Sequence, residues 1–293
     1  MSRQQCDYFV HIPKTGGSSV RTLITLNYQE DERLNLYGSQ PEIFNTCQQA
    51  KRDKRQPRLI QGHMPYGVHH YFNDDNPNYF FFLREPVART ISDIRHCMRN
   101  PKHGFHHIIG DPELSMSRRV ELASEIIYYR NNMTHYLSEV FFAAEVGLAD
   151  LHRAMDRIWK SPFVGITEQS EKSLLILSKK LGWKCCIPQK MNVSAPTSSE
   201  SIDEIRPLCE SFLLFDIELY QIALERFEQI VTGYGSLLDE AAEELTEIFE
   251  QQALDYPQLQ QGTYLVGEAL EVPVQQTLES LPESSPLKRW ISD

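Results

Sequence analysis

The stretch YFVHIPKTGGSSVRTLI, residues 8 to 24, constrains this chain more than any other. Its apolar run from Tyr8 to Ile12 has the length of a short buried strand. The run stops at Pro13. Lys14, Thr15, Gly16, Gly17, Ser18 and Ser19 follow, and an amphipathic helical pattern then begins. Strand, glycine-bearing turn and helix start together build an anion site. The first-turn N–H groups lack helical partners, and the helix dipole favours negative charge there. Gly16 and Gly17 allow close approach of the backbone, Lys14 adds a positive charge, and the two serines add hydroxyl donors. The pattern is not that of a Walker A loop, whose lysine follows the last glycine. Taken alone, it equally describes a tight turn before an N-capped helix.

Length and composition bound the rest. A chain of 293 residues, 41% hydrophobic and 24% charged, suits one large α/β domain with an appendage. No apolar run approaches the ~20 residues of a membrane-spanning helix. The first strand begins almost at once, so no signal or transit sequence is expected. Six cysteines, at 6, 47, 97, 185, 186 and 209, show no metal-ligand spacing, and a reduced, cytoplasmic protein is the expectation. The net charge of −11 is uneven: residues 234 to 293 hold 12 acids against Lys288 and Arg289. The acidity therefore belongs to the tail and does not oppose an anionic ligand on residues 1 to 233.

Further strand-to-helix junctions follow. Leu59 to Gln61 reads as a strand end, and Gly62 to Gly67 as the loop after it, with His63 at the strand's C-terminal edge. Ligands bind at such edges in open parallel sheets. His69 and His70 lack that placement and read as surface or supporting residues. Tyr79 to Leu83, YFFFL, is the clearest buried strand. It ends at Arg84-Glu85-Pro86, and a helix runs to about Asn100 with Ser92 on it. Lys14 at one junction and Arg84 at the other could grip two phosphates of one nucleotide.

The run KRDKRQPR, 51 to 58, reads as a solvated loop or as a patch drawing in an anionic substrate. His103, His106 and His107 lie in a loop at 101 to 113 with no carboxylate or cysteine to complete a metal site. Helical patterns cover about 117 to 144 and 149 to 159. A strand at Phe163 to Thr167 feeds a helix to Leu181, which Gly182 stops. Two more helices are expected near 201 to 205 and 207 to 230. In the tail an acidic amphipathic helix begins near Leu237, Thr263 to Val274 reads as extended, and the Ser/Pro/Glu-rich end reads as loose.

Six stretches in order, HIPKTGGSS, QGHMPYG, FFLREPVARTISD, NNMTHYL, FVGITE and DIELYQIALERF, together give a resemblance. The chain resembles the carbohydrate sulfotransferases that include heparan sulfate 2-O-sulfotransferase and its bacterial relatives. The resemblance spans residues 8 to about 230 and leaves out the tail. It implies an open parallel sheet flanked by helices, of P-loop NTPase-like architecture. The implied donor is 3′-phosphoadenosine 5′-phosphosulfate, and the implied acceptor is a hydroxyl, favoured on a glycan. Neither a metal nor nucleic acid is implied. Lys14, Thr15, Gly16, Gly17, Ser18 and Ser19 would hold the 5′-phosphosulfate. Arg84 and Ser92 would hold the 3′-phosphate, with Glu85 where the family has aspartate. Lys190 and Asn192 are candidates for closing over the donor. His63 matches the family's catalytic histidine and would act as general base, with Lys14 stabilising the leaving oxygen. Gln61 stands where the heparan sulfate enzyme has a first histidine. A P-loop kinase or NTPase and a non-catalytic nucleotide-binding protein are the other readings. The tail is expected to be either a solubilising, packing extension or an acidic cover for the cleft.

Overall fold

Five short parallel strands in the order β2-β3-β1-β4-β5 set the positions of everything else in this computed structural model. It describes residues 5–140, 142, 144–187, 202–255 and 268–292. The strands are β1 (Asp7–Val10), β2 (Arg33–Leu36), β3 (Leu59–Gly62), β4 (Asn78–Leu83) and β5 (Phe163–Ile166). Register is continuous across the centre: Val10 pairs with Gly62 on one side and Phe81 on the other. β1, β3, β4 and β5 are almost wholly buried. That explains their unalternating apolar sequences, because helices cover both faces. Gly62 is required by the pairing itself, since a Cβ there would lie 1.9 Å from the Leu36 carbonyl oxygen.

α1 (Gly17–Asn27) follows β1, and α2 (Gln40–Arg52) joins β2 to β3. β4 leads directly into α3 (Pro86–Arg99). A helical layer follows: α4 (His106–Ile109), α5 (Met116–Ser124), α6 (Asn132–Ser138) and α7 (Leu148–Lys160). β5 enters α8 (Ser170–Leu181) through a single 3-10 turn. α9 (Ile202–Glu210), α10 (Leu214–Val231), α11 (Ser236–Asp255), α12 (Glu268–Ser280) and α13 (Pro286–Ser292) complete the chain.

Several expectations change. The polar stretch after α1 contains β2 and α2, and the Glu42 carboxylate accepts the Ser39 N–H at 2.7 Å where α2 starts. The helical pattern at 117 to 144 is two helices, α5 and α6. Asn131, at φ 46°, breaks it, and its side-chain oxygen accepts the Phe215 and Asp216 N–H groups. The loop at 101 to 113 contains α4. His69 is buried against the Tyr79 hydroxyl, not at the surface. Residues 268 to 274, expected extended, begin α12. The chain's end is not loose up to Ser292: α13 buries Leu287 and Trp290. Trp290 Nε1 donates to the Leu175 carbonyl of α8 at 3.2 Å. Leu238, Ala241, Leu245 and Phe249 of α11 join the same hydrophobic cluster as the sheet. The acidic segment is thus packed on the residues before it. No helix among the described residues is long and apolar enough to cross a membrane.

Candidate functional site

The C-terminal edge of the sheet opens into a cleft of about 900 Å³, lined by Lys14 to Ser19, His63, Arg84 and Ser92 among the expected site residues. The loop after β1 is held from behind through its carbonyls. Arg89 reaches the Pro13 carbonyl at 3.3 Å and Arg84 the Lys14 carbonyl at 3.1 Å. Thr167 Oγ1 lies 2.9 Å from the carbonyls of both Thr15 and Leu83. With these carbonyls engaged, the amides entering α1 form the face offered to an anion. Lys14 sits at φ 69° and Gly16 at φ 81°, so the loop turns through two left-handed residues. A lysine tolerates that backbone region poorly. Here Arg84 holds the Lys14 carbonyl in place. Gly17 is needed for another reason: a Cβ there would lie 2.2 Å from the His11 ring.

His63 stands just past β3. Its Nδ1 lies 2.7 Å from the His11 carbonyl oxygen, so Nδ1–H is the donor and Nε2 carries the lone pair. The ring packs 4.5 Å from that of His11 and meets Tyr37 edge-on at 5.0 Å. Tyr37 Oη lies 3.0 Å from His11 Nδ1, and the Arg21 guanidinium sits 4.6 Å over the Tyr37 ring. Burial pushes the His63 pKa below the usual histidine value; the hydrogen bond to the His11 carbonyl opposes this in part, and the nearby Arg21 charge reinforces it. At neutral pH His63 is therefore an uncharged base with a fixed tautomer. Burial also lowers the Lys14 pKa, an effect opposed by Asp93.

Arg84 and Ser92 meet the cleft from β4 and α3. Glu85 caps α3 by accepting the Ala88 N–H at 2.6 Å, while Arg206 holds its other oxygen at 3.0 Å. The longer carboxylate thus performs the N-cap role expected of an aspartate. Glu168 lies 4.0 Å from Arg84 Nε and accepts from the Glu85 N–H and the Tyr220 hydroxyl.

Other lining residues were missed in the sequence. His96 and Arg99 continue the Ser92 face of α3 at helical spacing, a stripe that periodicity alone could have disclosed. His103 lines the same cleft, whereas His106 bonds the Cys97 carbonyl at 2.8 Å and His107 is exposed. Tyr128, Tyr136 and Phe142 come from the helical layer and Phe249 from α11. Their placement depends on packing that no local pattern displays. No cluster of three metal-ligating side chains occurs among the described residues. The 51 to 58 run precedes β3, so parallel strand polarity puts it at the opposite edge from the cleft. There Arg58 pairs with Glu32 at 2.7 Å, and Arg55 bonds the Arg33 carbonyl. That run does not face an acceptor in the cleft. Nor do tail acids cover it among the described residues: Asp239, Glu240, Glu243, Glu247 and Glu250 are exposed, and Phe249 alone represents α11 in the lining. Lys190 and Asn192 lie outside the described residues.

No protein-family model and no curated protein matches this chain.

Proposed function

We propose that this chain is a sulfotransferase that moves a sulfuryl group from 3′-phosphoadenosine 5′-phosphosulfate to an acceptor hydroxyl, on a carbohydrate. The observation that carries this reading is the joint placement in one cleft of a lysine-bearing anion loop, an arginine–serine pair and a neutral histidine of fixed tautomer. Residues Lys14 to Ser19 suit the 5′-phosphosulfate, and Arg84 with Ser92 suits the 3′-phosphate. In the reaction, His63 Nε2 takes the proton of the acceptor hydroxyl as its oxygen attacks sulfur. The bond from sulfur to the bridging oxygen breaks, and the electron pair stays on that oxygen. The Lys14 ammonium meets the charge developing there. Transfer of this kind depends on positioning and electrostatics, as phosphoryl transfer does. Lysine and arginine supply the positive charge that a kinase draws partly from magnesium.

A kinase reading is supported less well, because the lysine precedes the glycines and Arg84 follows β4 where a metal-binding aspartate would be expected. Calorimetry with 3′-phosphoadenosine 5′-phosphate and with ATP separates the two. Tight binding of the first and weak binding of the second is expected; the reverse preference sinks the sulfotransferase reading. Transfer of radiolabelled sulfate to candidate glycans, beside Lys14→Ala and His63→Ala, then tests catalysis.

A further inference from the structure

One part of the cleft's lining comes from α8 and α11, which pack on each other. Ser170 and Leu174 of α8 and Phe249 of α11 are its lining residues. It lies where α1 and α8 begin: Thr167, at the entry to α8, is 2.9 Å from the Thr15 carbonyl, and its methyl would be 3.5 Å from a Cβ on Gly16. Ser170 and Leu174 are one turn apart on α8 and share a face. The charged side chains of the lining come from other elements. Lys14 and Arg84 occupy the β1 and β4 ends, His96 and Arg99 continue along α3, and Arg21 turns toward Tyr37. A hydroxyl beside an apolar wall suits a flat heteroaromatic ring with polar edges better than a phosphate.

Phe249 is held there by the whole C-terminal assembly. Leu238, Ala241, Leu245 and Phe249 recur at three- and four-residue spacing and form the buried stripe of α11. Lys172 of α8 pairs with Asp239 at 2.6 Å. Glu244 accepts from the Ser285 hydroxyl at 2.7 Å and the Leu287 N–H at 2.8 Å, which ties α13 to α11. Trp290 then ties α13 to α8. Only 2% of Phe249 is exposed, so it meets the cleft with a small part of its ring and is held rigidly by its packing.

We propose that α11 completes the donor site: Phe249, with Leu174, forms the wall against which the donor's nucleobase lies, and Ser170 faces its polar rim. This rests on reading the cleft as a nucleotide-donor site. The acidic tail is then part of the binding machinery, through one aromatic residue and not through its charge.

The test compares 3′-phosphoadenosine 5′-phosphate with abasic ribose 3,5-bisphosphate by calorimetry on the full chain. The wild type is expected to prefer the adenine nucleotide. Phe249→Ala is expected to lose about tenfold in affinity for the nucleotide, within the range seen for base–aromatic contacts, while its affinity for the abasic compound is unchanged. Phe249→Leu keeps most of the packing and tests the same ratio if the alanine variant folds poorly. A Phe249 variant that loses both ligands equally, or neither, overturns the inference. So does a wild type that binds the two ligands equally. A wild type that binds neither ligand refutes the donor-site reading itself, a separate failure.

Discussion

His63 is the residue on which the chemistry turns, and its environment gives its behaviour a sign. Burial lowers its pKa, so it remains neutral across physiological pH and is lost as a base only in acid. The kcat/KM profile should fall on the acid side below the unperturbed histidine value of about 6.5. It should fall on the alkaline side below the ordinary lysine value as Lys14, whose pKa burial also lowers, gives up its proton. A pH–rate profile with its acid limb above 7 would contradict the assignment. His63→Ala should reduce kcat by roughly 10²- to 10⁴-fold, the usual contribution of a general base. Affinity for 3′-phosphoadenosine 5′-phosphate should stay close to wild type, because His63 serves the acceptor side. Gly17→Ala behaves differently: its methyl would occupy the space of the His11 ring, so donor binding and turnover should both fall. Binding calorimetry separates the two effects.

At the scale of elements, α3 is the strut that sets the anion loop. Arg89 is fully buried, pairs with Asp93 at 3.2 Å and reaches the Pro13 carbonyl. Arg89→Met would leave Asp93 buried without its partner, at a cost of about 3–5 kcal/mol. Adding Asp93→Leu should recover most of that stability, because well-packed apolar pairs often replace buried ion pairs without loss. Donor affinity should stay low in both variants, since the Pro13 carbonyl has lost its anchor. Urea unfolding and calorimetry read these separately; a double variant no more stable than the single one would contradict the account. Elements of this kind were legible in the sequence to different degrees. β1, β4 and β5 showed as continuous apolar runs, and the junctions after β1, β3 and β4 exposed Lys14, His63 and Arg84. β2 did not, because RLNL carries only two buried apolar side chains and depends on pairing with β3. The break between α5 and α6 was equally hidden. Asn131 there accepts from Phe215 and Asp216, while Asp216 accepts from the Met133 and Thr134 N–H groups at 3.0 and 2.8 Å. NNMTHYL and DIELYQIALERF therefore lock each other, and that long-range exchange decides where Tyr136 meets the cleft.

At the scale of the molecule, the boundary at residue 233 marks a change in charge and not an edge of the core. The acids of the tail gave the composition its strongest signal, yet the buried stripe of α11 and the two anchors of α13 govern its packing. The spacing of Leu238, Leu245 and Phe249 displayed the stripe in the sequence. The surface receiving it did not show, because α8 offers that surface only after folding against β5. Removing residues 234 to 293 would expose the side of α8 now covered by Leu238, Leu245, Phe249, Leu287 and Trp290. Burial of each large apolar side chain contributes roughly 1.5–3 kcal/mol. Five together rival the whole net stability of a typical domain, about 5–15 kcal/mol. The chain ending at 233 should therefore lose cooperative unfolding and bind a hydrophobic dye. The single change Trp290→Ala should lower stability by about 3–5 kcal/mol. A solubilising appendage makes the opposite prediction: truncation would leave the urea midpoint and slope where they were. The slope decides as firmly as the midpoint, because it scales with the surface exposed on unfolding. If α11 and α13 unfold with the sheet, the full chain must show one transition whose slope exceeds that of any folded truncated form.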